Sequence, residues 1–483
     1  MAMGGICILR GPRGSLPIDV MSTTNPPTRR AYVETYGCQM NISDGELMEG
    51  VLAAEGYEIV GTPEEADVVL VNTCAIREHA EQRVLGRVGQ LSALKRERPD
   101  VVIGVTGCMA QRMGEDLLGN GSQVDLVMGP DGYRSLPQAL RSLGAPASRA
   151  PMSPPPAKRT RQLAVLDLNL VENYQGLEQR RKDGPSAWVP IQRGCDHRCT
   201  FCIVPYVRGP EKNRSADEIL REIRGLAETG VSAVTLLGQT VNSYRWEEWS
   251  FPRLLREVAR VDGIRRVFYT SPHPNDVTPE LVEVMASEPA VCEMLHLPAQ
   301  SGSNRTLKRM LRRYTVESFL EKVELVRSAI PDIALTTDVI VGFPGETEEE
   351  FQATLDLMRT VRFDDAYTYK YSAREGTPAT RLPQEDFLDP DEAQARLSTL
   401  IDVSRGIQAE INQGEVGRAE EVLVEKEARS DGHVLGRTRR NKVVAFPGPI
   451  EWTGTYRTVV LERTTGATFV GSEVHDPVLA ETV

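Results

Sequence analysis

The chain has 483 residues, long enough for about three domains. Its composition is globular, with 40% hydrophobic and 26% charged residues, and no apolar run approaches the length of a membrane span. The net charge of −12 supplies no global attraction to a polyanion, so any nucleic-acid site must be a local basic patch.

Residues 1–30 read as a disordered tail. Arg10, Arg13, Arg29 and Arg30 surround only a very short apolar stretch, which is poor as a secretory signal and weak as a transit peptide. A cytoplasmic, reducing location follows, with Met21 as a second candidate start. Residues 31–145 alternate strands with helices. Strands are expected over Ala31–Tyr36, Asp67–Asn72, Val101–Val105 and Asp125–Met128. Helices are expected through Leu47, Val51 and Leu52 with Ser43 and Asp44 as caps, over Glu78–Arg98, and over Leu136–Leu143. Such alternation predicts a doubly wound α/β domain with a mostly parallel sheet. Cys38, Cys74 and Cys108 each follow one of its first three strands, and sites in open α/β sheets form beyond the carboxyl ends of strands. The three thiols are therefore expected to converge. Gly37 and Gly107 stand just before two of them, where the backbone must turn sharply or approach closely.

Residues 146–180 form a linker whose proline density over 146–162 prevents a packed element. Residues 181–413 repeat a strand–helix beat, with strands at Ala187–Gln192, Ala233–Leu237, Arg266–Thr270, Val291–Leu297, Leu335–Val341 and Ala366–Tyr371. Helices fall at Ser215–Glu228, Phe251–Val261, Thr315–Ile330 and Glu346–Val361, and one from Pro390 to Gln413 closes the unit. Six βα units predict a partial (β/α)6 barrel, and barrel sites lie at the carboxyl ends of the strands. Residues 414–477 switch to short β runs separated by Gly and Pro, at Glu421–Glu427, His433–Arg437, Lys442–Phe446, Tyr456–Leu461 and Thr468–Val470. They predict a small β-barrel.

Directly after the first barrel strand stand Cys195, Cys199 and Cys202, spaced C-x3-C-x2-C. Iron–sulfur clusters are commonly held by four cysteines. A compact set of three can hold three irons of a [4Fe–4S] cluster and leave the fourth open for chemistry. The dispersed triad of Cys38, Cys74 and Cys108 predicts a second such cluster. A disulfide framework is disfavoured by the chain's length and low cysteine content. Zinc is disfavoured because His197 lies inside the loop and no second paired cluster follows. Cys7, in the tail, and Cys292, in a strand, read as incidental or buried thiols.

The C-x3-C-x2-C loop after a first barrel strand resembles that of the radical S-adenosylmethionine (SAM) enzymes. The segments Tyr36-Gly37-Cys38-Gln39-Met40-Asn41, Asn72-Thr73-Cys74-Ala75 and Thr106-Gly107-Cys108-Met109-Ala110-Gln111 narrow the resemblance to methylthiotransferases. So do Cys202-Ile203-Val204-Pro205-Tyr206-Val207-Arg208-Gly209, Leu237-Gly238-Gln239-Thr240-Val241-Asn242 and Val341-Gly342-Phe343-Pro344-Gly345-Glu346. The likeness covers roughly residues 31 to 475, and its best form is the MiaB type, which acts on tRNA. A Thr240 where the family commonly has Asn is a mild departure.

The resemblance implies two [4Fe–4S] clusters and two SAM molecules. One SAM methylates a sulfur held on the cluster at Cys38, Cys74 and Cys108. The other, at the cluster of Cys195, Cys199 and Cys202, gives a 5′-deoxyadenosyl radical. Together they install a methylthio group on C2 of N6-isopentenyladenosine at tRNA position 37. Implied partners are a tRNA anticodon stem-loop, an electron donor and a sulfur source. By the same resemblance Phe201 lies near the adenine, Gly238 and Gln239 contact the SAM amino group, and Ile340 and Gly342 form the adenine-binding turn. Beside that stands the plain reading of Gly342-Phe343-Pro344-Gly345 as a strand-to-helix turn.

The terminal barrel resembles a TRAM domain, an RNA-binding module, in which Arg437, Arg439, Arg440 and Lys442 would face phosphates. Arg309, Arg312 and Arg313 form a second basic run that either faces RNA or covers an exposed helix. Ser271-Pro272-His273-Pro274 and His296 to Ser303 are expected to line the cavity. Methylthiotransferases acting on threonylcarbamoyl-adenosine tRNA or on a ribosomal protein remain alternatives. Further off stands a non-catalytic RNA-binding protein with a structural metal.

Overall fold

The computed structural model describes residues 29–75, 78–119, 122–144, 162–181 and 184–474. The tail of residues 1–28, with Cys7 and Met21, and the proline-rich run at 145–161 lie outside the described residues.

The N-terminal sheet has six parallel strands: β1 (Arg30–Thr35), β2 (Glu58–Ile59), β3 (Val68–Thr73), β4 (Val102–Gly107), β5 (Leu126–Met128) and β6 (Leu163–Val165). Their order is β2-β1-β3-β4-β5-β6. Both faces are covered. Val68 and Leu70 of β3 enter one apolar core with Leu47, Leu52 and Tyr133, while Val69 and Val71 enter another with Val84, Leu91 and Ile103. This is the period-two alternation of a strand buried on both sides.

Three expectations change here. Residues 146–180 are not linker throughout, because β6 pairs in parallel with β5 and completes the sheet. Ser43 and Asp44 do not cap the first helix. That helix runs from Gln39 to Ala54 with Cys38 at its N-cap, and both residues are buried within it. Asp44 is turned to ion pairs with two distant arginines instead. The expected helix over Glu78–Arg98 splits into Glu78–Leu91 and Leu94–Glu97.

The central unit begins with β7 (Ser186–Pro190) and a short antiparallel pair, β8 (Gln192–Arg193) with β9 (Lys212–Asn213). Next come β10 (Ala233–Leu237), the hairpin β11 (Arg245–Trp246) and β12 (Trp249–Ser250), and then β13 (Arg266–Tyr269), β14 (Met294–His296), β15 (Ala334–Val341) and β16 (Asp365–Lys370). Strands β7, β10 and β13 pair in parallel, as do β14, β15 and β16. A parallel bridge from Val267 to Val291 joins the two sets. The result is a six-stranded partial barrel around the largest apolar core of the chain. The expected strand over Val291–Leu297 shortens to Met294–His296. Cys292 precedes it as a buried thiol whose amide donates to Val267 O at 3.1 Å.

The helix Pro390–Glu415 leads into a closed barrel of β17 (Ala419–Glu427), β18 (His433–Arg437), β19 (Val443–Pro447), β20 (Tyr456–Thr464) and β21 (Thr468–Glu473). Val422, Val434, Phe446, Val459 and Phe469 fill it. Among the described residues, no helix is long and apolar enough to cross a membrane.

A candidate two-cluster site

Three neighbouring strands of the N-terminal sheet end in cysteines. Cys38 lies just beyond β1, and Cys74 and Cys108 follow β3 and β4 directly. Their ends are in register, with Thr35 opposite Asn72 and Thr73 opposite Gly107. Gly37 (φ +126°) makes the convergence possible. A Cβ there would lie 2.4 Å from Cys74 Cβ, and the backbone conformation itself disfavours any side chain. Gly107 (φ +93°) has the same role, since a Cβ would stand 2.5 Å from Thr73 O.

The second triad lies beyond β7 in a loop fixed by its own backbone. Cys195 N donates to Gly209 O at 3.2 Å and Cys202 N to Cys199 O at 3.0 Å. The Cys195 sulfur lies 3.2 Å from Thr240 Oγ1, and Arg312 Nη1 donates to the Cys199 sulfur at 3.4 Å.

All six cysteines line one cavity of about 270 Å³. None of the described cysteines is in a disulfide. The walls also carry Phe201, Gly238, Gln239, His197, His273 and Gln300. Every barrel residue among them lies beyond the carboxyl end of a strand, as expected for this architecture. The His197 and His273 rings stack at 4.0 Å and 6°. Burial pushes the His273 pKa down to about 2, which keeps it neutral, with the Arg312 cation adding to the effect.

The thiols differ in acidity. A hydrogen bond with Cys74 pulls the Cys38 pKa down to about 6, against the effect of burial and with help from the Arg208 guanidinium. Burial pushes Cys108 and Cys195 up, and Cys202 up to about 12. Thiolates are the metal-ligating form.

The donor set fits two iron–sulfur clusters. Six thiols converge as two triads, and Gln239 Oε1 and Gln300 Oε1 are buried in the wall without a hydrogen-bond partner, as expected beside a polar ligand.

Several site residues were not singled out from the sequence. Arg208, on the short helix Val204–Arg208, donates to Cys108 Sγ at 3.1 Å, Asn41 Oδ1 at 3.0 Å and Asp44 Oδ2 at 2.7 Å. Arg193 reaches Asp44 Oδ1 at 2.8 Å, and Lys212 meets Asp131 at 2.6 Å. These buried pairs close the seam between the N-terminal sheet and the barrel, and Ala75, Cys108, Ile203 and Val207 pack across it. No local sequence signal marks these pairs, because their partners lie far apart in the chain.

Other expected site residues lie outside this cavity. Ile340 and Gly342 are absent from the cavity lining. Ile340 packs with Phe201, Met310 and Phe343. Gly342 N donates to Glu346 Oε1 at 2.9 Å, and Glu346 in turn meets Arg396, so this is a strand-to-helix turn held by a buried ion pair.

The terminal-barrel cations do not form an open phosphate patch. Arg439 pairs with Glu293, Arg440 with Glu415 and Glu420, Lys442 with Asp364 at 2.7 Å, and Arg437 with Glu425 at 3.4 Å. Glu293 and Asp364 stand just before β14 and β16, so this loop docks the small barrel at the opposite end of the strands from the cysteines. The basic run before Tyr314 divides. Arg309 pairs with Asp386, Arg312 enters the cavity, and Arg313 is exposed.

Comparisons with known proteins agree with this layout. Residues 189–358 match the radical SAM superfamily, residues 30–129 the uncharacterized protein family UPF0004, and residues 413–467 the TRAM domain. The chain is 42% identical over 446 residues to the tRNA-2-methylthio-N(6)-dimethylallyladenosine synthase of Chloroherpeton thalassium, covering 92% of this chain and 96% of the relative. It is 44% identical to the protein of that name from Carboxydothermus hydrogenoformans, covering 86% and 93%. Among solved structures, the radical SAM methyltransferase TsrM of Kitasatospora setae aligns with a TM-score of 0.53 at 16% identity, covering 78% of this chain and 89% of that one. That likeness concerns the fold alone. The identities over nearly full length place this chain in the family of the tRNA-2-methylthio-N(6)-dimethylallyladenosine synthases.

Proposed function

We propose that this chain transfers a methylthio group to C2 of N6-isopentenyladenosine beside a tRNA anticodon, with Cys195, Cys199 and Cys202 holding one [4Fe–4S] cluster and Cys38, Cys74 and Cys108 the other. The observation that carries this reading is the convergence of both triads on one cavity. Bound there, the clusters and SAM would supply a radical able to remove an unactivated hydrogen and a sulfur to replace it.

The chain's own residues supply placement. Thr240 and Arg312 hold the sulfurs of Cys195 and Cys199 in position. Phe201, Ile203, Val207 and Met40 make the cavity wall largely apolar and limit water around a reactive radical. Gly238 leaves room beside Gln192, and the Gln239 amide, with its unpartnered oxygen, is suited to the amino group of SAM. His273 is held neutral and needs no proton-transfer role. An electron donor and a sulfur source must come from outside the chain, and oxygen-sensitive clusters suit a reducing cytoplasm.

Mass spectrometry of tRNA nucleosides tests the reading. A strain lacking the gene should lose 2-methylthio-N6-isopentenyladenosine and accumulate N6-isopentenyladenosine. An unchanged methylthio nucleoside sinks it.

A further inference from the structure

The seam between the two cysteine triads contains an unbalanced charge. Arg193 and Arg208, both nearly fully buried, share the single carboxylate of Asp44. Burying a cation without a partner is costly, so something anionic must complete the set. Arg208 points to where it is. Its Nη2 is bonded to Asn41 and Asp44, its Nε donates to Cys108 Sγ at 3.1 Å, and its Nη1 is buried with no hydrogen-bond partner. A cubane held by three thiolates is anionic and offers sulfur acceptors. Arg208 also lies only a short helix beyond Cys202, so the same side chain ties the loop of one triad to a ligand of the other.

We infer that Arg208 is a positioning residue for the auxiliary cluster, neutralising its negative charge and donating hydrogen bonds to its sulfurs from the loop that carries the radical cluster. This rests on the two-cluster reading above. Net charge and hydrogen bonds to sulfur set the potential of iron–sulfur clusters. Arg208 therefore makes the auxiliary cluster easier to reduce than its three thiolates alone would allow, and leaves the radical cluster little affected.

The test uses two full-length backgrounds reconstituted anaerobically with iron and sulfide. One carries Cys195→Ala, Cys199→Ala and Cys202→Ala and keeps the auxiliary triad. The other carries Cys38→Ala, Cys74→Ala and Cys108→Ala and keeps the radical triad. Potentiometric titration followed by electron paramagnetic resonance reads each cluster. In the first background, Arg208→Gln is expected to disfavour reduction by at least about tenfold, which is about 59 mV for one electron. Arg208→Lys, which keeps the charge but not the planar fork, should recover part of that. In the second background the shift should stay below about twofold.

An unchanged auxiliary potential with iron present overturns the assignment, as does an equal shift in both backgrounds. If Arg208→Gln does not fold, Arg208→Lys carries the test, with a smaller shift in the same direction expected and no shift overturning it. An auxiliary-only chain that binds no iron overturns the cluster reading and this inference with it.

Discussion

The two cysteine triads reach the same cavity by opposite routes. Cys195, Cys199 and Cys202 lie within one loop, placed by local backbone hydrogen bonds and the short pair of β8 with β9. Cys38, Cys74 and Cys108 are scattered through the chain and meet only because β1, β3 and β4 are parallel neighbours in register. The first triad depends on sequence spacing, the second on a whole sheet. Their surroundings differ as well. Thr240 and Arg312 attend the loop triad, whereas a buried guanidinium and a helix N-terminus attend the dispersed one. Cys38 is drawn down to about 6, first by its hydrogen bond with Cys74 and then with help from the Arg208 cation, whereas burial pushes Cys202 up to about 12.

The largest expected effect separates the triads by chemistry. Cys199→Ala should abolish release of 5′-deoxyadenosine, while Cys74→Ala should leave SAM cleavage intact and stop thiolation of tRNA. Product analysis by mass spectrometry reads both, and a Cys74→Ala chain that still thiolates removes the division of labour.

Gly37→Ala probes the dispersed triad through the backbone. The new methyl group would overlap Cys74 Cβ at 2.4 Å and sit at a φ of +126°. The variant should lose about half of the bound iron and retain SAM cleavage. Full iron retention would show that the strand ends have slack.

Asp44→Ala strikes the seam that both triads share. It leaves two buried arginines without their carboxylate, a change that costs about 3–5 kcal/mol when a buried pair is broken. Chemical denaturation should show that loss, and proteolysis should cut first between the N-terminal sheet and the barrel. A loss under about 1 kcal/mol, the level of a surface pair, contradicts the buried network.

The gentlest probe is alkylation of the iron-free chain near neutral pH. Cys38, drawn down to about 6, is mainly thiolate there, whereas Cys202, pushed up to about 12, is not. Peptide mapping should find iodoacetamide on Cys38 at least about tenfold faster. Equal rates would erase the contrast between the two environments.

Much of this was legible in the sequence for physical reasons. Strand β10 was read at its observed bounds because Ala233–Leu237 is a compact apolar run between two turns. The dispersed triad was legible because strand ends in an α/β sheet gather on one edge. The ion-paired seam was not. Nothing local distinguishes Asp44 as a buried partner of Arg193 and Arg208 from Asp44 as a helix cap, since the pairing depends on chain more than a hundred residues away. The ion pairs of the terminal loop were hidden for a related reason. Four cations between Arg437 and Lys442 read as a phosphate patch until Glu293, Asp364 and Glu415 are brought beside them by the docking of the small barrel. Ile340 and Gly342 form a strand-to-helix turn behind Phe201, and a structural turn and a ligand-binding turn share one sequence pattern.

The central claim is that both triads carry a cluster, and iron and sulfide counting after anaerobic reconstitution tests it most directly. Two [4Fe–4S] clusters predict about eight irons and eight sulfides per chain, falling to about four when either triad is replaced by alanine. Four or fewer irons in the unaltered chain would contradict the account.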